Sequence, residues 1–87
     1  MSQERVARIE ALLQAAFSPS ELSIHDDSAA HAGHAGAASG AGHFNVRIRA
    51  PEFVGMAPLA RHRAVYAAVD EMMGRDIHAL SIDAAAE

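Results

Sequence analysis

Eighty-seven residues make one domain at most, and with no Trp, one Tyr and three Phe they close only a thin core. The absence of cysteine excludes disulfides and any metal or iron–sulfur site built from the chain's own thiolates, which leaves six histidines as the plausible soft ligands. A formal net charge of −4 argues against tight non-specific binding to nucleic acid, which depends on neutralising phosphates.

The charged start MSQERVARIE reads as no signal peptide, and no apolar run approaches the ~18 residues of a membrane helix. The expectation is a cytoplasmic protein that engages no membrane. Residues 2–17 are predicted as a helix, capped by Ser2, with Val6, Ile9, Leu13 and Ala16 on one stripe widened by Leu12 and Phe17. Ser18-Pro19-Ser20 ends it. Residues 21–26 alternate, Leu22 and Ile24 against Ser23 and His25, which predicts a strand with one buried face.

The segment 28–42 holds four Gly, seven Ala, two Ser and two His and no large apolar residue. It is predicted as a flexible loop, because glycine interrupts the alanines too often for a stable helix. Residues 43–50 show the cleanest alternation in the chain. Phe44, Val46 and Ile48 point inward and Asn45, Arg47 and Arg49 outward, so a strand with a basic outer face is expected, antiparallel to the first. Pro51 stops it.

A second helix is predicted over 58–73, opened by Pro58 and closed by Gly74, with Leu59, His62, Tyr66, Val69 and Met73 as its apolar stripe. Residues 77–82 form the last strand, with His78, Leu80 and Ile82 on one face, and 83–87 are a tail. The order is α-β-β-α-β. The crossover helix makes the last two strands parallel if they are neighbours, and the arginines outside the middle strand put both helices on the other face. The fold class is therefore α+β: a single domain over 1–87, a two-layer α/β sandwich with a three-stranded mixed sheet.

Little here suits catalysis. No serine sits in a nucleophile elbow, and Asp26 and Asp27 are neighbours that a strand would point to opposite faces. No phosphate-binding glycine motif is present. His25 lies on a polar strand face, and His62 reads as a packed histidine. His31 and His34 form an H-x-x-H pair with no core to join, a weak metal-ligand spacing on its own. His43 opens a strand, and His78 reads as a core histidine or a ligand. A plain zinc module using His31, His34 and His43 is one possibility. Arg47, Arg49, Arg61 and Arg63 fall within 17 residues and make a local basic patch conceivable.

Taken together, Asp27-Ser28 with His31, His43-Phe44, Phe53-x-Gly55, Arg61-His62-Arg63 with Val65-Tyr66, and Ile77-His78-Ala79-Leu80 resemble the BolA family in order and spacing across residues 22–82. Two departures stand out: the segment after His31 is longer and richer in Gly, Ala and His, and little follows the last strand where the family carries a short helix. The resemblance implies a KH-like fold, no enzymatic activity, no small-molecule substrate, and partnership with a monothiol glutaredoxin. A 2Fe–2S cluster would be shared with the glutaredoxin and its glutathione, and none is expected in the isolated chain, monomeric or weakly dimeric when free. On this side the ligands implied are His78 and a loop histidine, His31 or its close substitute His34, with His43 behind them. The role implied is iron–sulfur trafficking or iron and redox regulation. The family also implies an alternative, a DNA-binding transcriptional regulator that contacts DNA through the Arg61–Arg63 helix, with Arg47 and Arg49 adding to the patch.

Overall fold

The computed structural model describes residues 2–27 and 42–87. In chain order these form α1 (Ser2–Ala16), β1 (Glu21–Asp26), β2 (Gly42–Arg49), a 3₁₀ turn at Pro51–Phe53, α2 (Pro58–Ala68), a second 3₁₀ turn at Asp70–Met72, and β3 (Ile77–Ala85). The sheet order is β1-β2-β3, antiparallel between β1 and β2 and parallel between β2 and β3. Fold class, element order and pairing are those expected from the sequence.

The middle strand explains why. Phe44, Val46 and Ile48 are at most 2 % exposed, and they meet Ile9 and Leu13 of α1 and Val65 of α2, which are wholly buried. Val6, Leu12 and Phe17 pack beside them, as the α1 stripe anticipates, while Ala16 at its end is exposed. Pro51 begins the 3₁₀ turn that drops Phe53 into the core, where its ring lies 5.0 Å from that of Phe17. The Glu52 carboxylate accepts a hydrogen bond from Ser18 N at 2.9 Å, which ties this turn to the end of α1. Gly55 takes a φ of 78°, a left-handed turn suited to glycine, before Pro58 opens α2.

Three expectations are corrected. First, α2 ends at Ala68 rather than 73, and the chain tightens through Asp70–Met72. Val65 of α2 is buried, as are Val69 and Met72 just beyond its end, with Ala64 and Ala68 packed against the core. Leu59 and Tyr66 of the expected stripe stay 61 % and 38 % exposed. The true face is built partly of alanine, whose small side chain marks a buried stripe less plainly than Leu59 and Tyr66 do.

Second, His78 does not share a face with Leu80 and Ile82. Gly42 stands opposite Ile77 and His43 opposite Ala79, so His78 is an extra residue in a β-bulge. Ile77 and Leu80 are both buried while His78 is exposed.

Third, residues 83–85 are strand, not tail. Asp83 receives Arg47 Nη1 at 3.1 Å and Arg49 Nη1 at 3.2 Å, and Arg47 Nε also donates to Glu21 at 2.5 Å. This network crosses all three strands on the outer sheet face.

Two predictions follow from the packing and this network. Phe53→Ala is expected to remove about 3–5 kcal/mol of stability, read by urea denaturation, a large share of the total for a chain this small. The Asp83 carboxyl is held below its ordinary value, chiefly by its hydrogen bond from Arg49. A depressed folded value stabilises above the unfolded carboxylate pKa of about 3.9 and is lost as pH falls through the folded value. Asp83→Asn should therefore lower the unfolding midpoint at neutral pH and lessen its fall on acidification below about pH 4, measured by thermal unfolding at several pH values.

Candidate functional site

The head of the sheet is where β2 begins, β3 begins and β1 ends. Here the bulge turns His78 outward, and the His43 ring lies against it, with centroids 5.1 Å apart and planes tilted by 48°. The two differ in exposure: His78 is exposed, whereas His43 is half-buried with its Nε2 shielded from solvent. His43 thus backs His78, which carries its ring into solvent.

Both chain ends that flank residues 28–41 are fastened at this place. Asp27 N donates to His43 O at 2.8 Å, and Gly42 N donates to Asp76 O at 2.9 Å, with Gly42 opposite Ile77. The segment bearing His31 and His34 therefore leaves and rejoins the fold beside His43 and His78. His31 and His34 themselves lie outside the described residues. Among the described residues no three His, Cys, Asp or Glu side chains converge to hold a metal unaided. Of the two rings, His78 is the one that stands open to another molecule.

Tyr66 steadies this region. Its hydroxyl donates to Leu80 O at 2.9 Å, two residues beyond His78. At the other side of the bulge Gly74, with φ 80°, donates its N–H to Ile77 O at 2.9 Å. Sequence reasoning missed both contacts and the bulge. The signal for the bulge was present: Ile77 and Leu80, the two large apolar residues, are three apart, which an unbroken strand cannot place on one face.

The expected basic patch is divided. Arg47 and Arg49 lie on the outer sheet face and are engaged by Glu21 and Asp83. Arg61 lies in the helical layer and donates Nη1 to Ala84 O at 3.2 Å, near the foot of β3. Six residues separate Ala84 from His78, roughly 20 Å of strand. Arg63 on α2 is exposed. The four arginines do not form one surface. A shallow concavity of about 260 Å³ lined by residues of all three strands, from Ser23 and His25 to Ser81 and Asp83, is also separate from the histidine pair.

The chain is an α+β domain of this order with an outward histidine at the start of its last strand, and among the described residues no helix is long and apolar enough to cross a membrane. The family model for BolA-like protein matches residues 13–87, and the chain belongs to that family. It is 41 % identical over 78 residues to BolA-like protein 1 of Mus musculus, across 90 % of this chain and 55 % of that protein. It is 39 % identical over 75 residues to the DNA-binding transcriptional regulator BolA of Escherichia coli (strain K12), across 86 % of this chain and 69 % of the other. The BolA domain of SufE1 from Arabidopsis thaliana superposes with a TM-score of 0.82 at 37 % identity, covering 93 % of this chain and 90 % of that one. The chain spans about half the length of the mammalian relatives it matches.

Because His43 packs on His78, His43→Ala is expected to shift the ring resonances of His78 in a two-dimensional proton–nitrogen spectrum while leaving those of His25 in place. Unmoved His78 resonances would show that the two rings do not meet in solution.

Proposed function

We propose that this chain is a non-enzymatic partner of a monothiol glutaredoxin, completing the coordination of a 2Fe–2S cluster that the glutaredoxin holds with its cysteine and glutathione. The observation that supports this most directly is the bulge that carries His78 out to solvent between the buried Ile77 and Leu80, beside His43 and beside both anchors of the segment bearing His31 and His34. A bulge interrupts the strand ladder, and such interruptions recur where a side chain must be re-aimed for function. The donor set suits iron shared between molecules: imidazoles without thiolate, with no three possible ligands converging among the described residues.

In this reading His78 is the principal ligand from this chain. His31 is the second, His34 its close substitute, and His43 positions His78. Imidazole ligation raises the potential of such a cluster relative to thiolate ligation. A ligating imidazole must be neutral, so protonation in acid releases it and the shared assembly dissociates. The biological output fits iron–sulfur trafficking or iron and redox regulation.

The test is to mix a reconstituted monothiol glutaredoxin, glutathione present, with this protein and follow visible absorption, circular dichroism and co-elution. A new spectrum is expected for the wild type, lost with His78→Ala and altered with His31→Ala. An unchanged glutaredoxin spectrum without co-elution would sink the proposal.

A second reading, DNA binding, draws on the name of the bacterial relative. The structure supports it less, since Arg47 and Arg49 are engaged by acids on the opposite layer from α2. For contact through Arg61 and Arg63 alone, the slope of log K against log salt should be no steeper than about −2. A much steeper slope would restore the four-arginine surface.

A further inference from the structure

Among the described residues β3 lies at one margin of the sheet, and such a margin exposes a row of unpaired backbone groups that can take another strand. Ala85 O accepts from Ala50 N on the β2 side. Alternation then points the backbone groups of Leu80, Ile82 and Ala84 away from β2, toward the free edge. Two of these three carbonyls are taken by side chains from α2: Leu80 O by Tyr66 and Ala84 O by Arg61.

We propose that the outer edge of β3 is a strand-pairing surface for a second copy of this chain, and that Arg61 and Tyr66 hold it closed. Arg61 carries a mark of this placement. Its Nε is buried with no hydrogen-bond partner, although an arginine this near the surface could keep that group in water. The side chain is drawn over the edge at the expense of its own solvation.

The occupant is argued from self-complementarity. An antiparallel copy related by a two-fold axis at Ile82 sets Ile82 opposite itself and Leu80 opposite Ala84 in both directions, three apolar pairs on the helical face. On the other face Ser81 meets Asp83, whose charge is already met by Arg47 and Arg49 of its own chain. The opposite margin fits worse. In β1 the outward residues are Leu22, Ile24 and Asp26, and pairing about Ile24 would set Leu22 against the Asp26 carboxylate.

The test uses the full chain with Arg61→Met and Tyr66→Phe, singly and together. The first keeps the aliphatic stem and the second keeps the ring, so the core packing is retained. Self-association is measured by analytical ultracentrifugation and amide exchange by NMR. The double variant should dimerise at least tenfold more tightly than the wild type. Its Ile82 amide, directed to solvent in the monomer, should become protected. Adding Ala84→Pro removes an edge donor without touching the β2 ladder and should return self-association to the wild-type level. A folded double variant that associates no more than wild type, or that dimerises without protecting Ile82, overturns the proposal.

Discussion

The structure depends on the register between β2 and β3. β2 is paired on both sides, and its Phe44, Val46 and Ile48 supply the floor on which both helices rest. A slip of one residue would send those three side chains to the outer face and bring Arg47 and Arg49 inward. Burying two guanidinium groups in a core with so little apolar mass would be prohibitive. The register is therefore strongly specified along most of the strand. It is relaxed at one point only, between Gly42 and His43, where the strand has just begun and a glycine offers no side chain to misplace.

That point of relaxation becomes the site. Ile77 must be inside, because it closes the core at the head of the sheet, and Leu80 must be inside two register positions later. The extra residue between them has to be extruded, and it is a histidine. His78 is thus exposed by the same packing demand that buries its neighbours. Gly74 fastens the turn before it and Tyr66 the strand after it, so the exposed ring stands on a braced segment. A ligand offered to another molecule needs that combination, since a ring ordered beforehand loses less freedom when it binds.

How much could be read in advance divides along physical lines. The β2 alternation was visible because large apolar and charged residues take turns, Phe44 to Arg49, and topology followed from the strand and helix order. The face of α2 was misjudged because Leu59 and Tyr66 are larger than the alanines at 64 and 68 and complete a regular helical stripe with Val69, while burial was decided by where the sheet lies. Asp83 was dismissed among small residues, since its partners Arg47 and Arg49 lie more than thirty positions away and ion pairs across a sheet leave no local pattern. The position of His78 was misjudged because strict period-two counting assumes an unbroken strand. His31 and His34 fall outside the described residues, so their part in the site rests on the H-x-x-H spacing, the family resemblance and the anchors at Asp27 and Gly42.

The placement of arginine decides how the basic cluster is to be understood. Arg61-His62-Arg63 reads as a basic patch only while α2 is considered alone. In the folded chain Arg61 reaches to Ala84 and closes a sheet margin, and the two strand arginines complete a cross-strand network with Glu21 and Asp83. A guanidinium engaged through Nη1 with a backbone carbonyl and buried at Nε has fewer donors left for a phosphate, so structural and nucleic-acid roles compete for the same side chain. His78 faces no such competition, because the bulge leaves it exposed. The exposed ring stands at the head of the sheet, and Arg47, Arg49 and Arg61 brace the sheet that presents it.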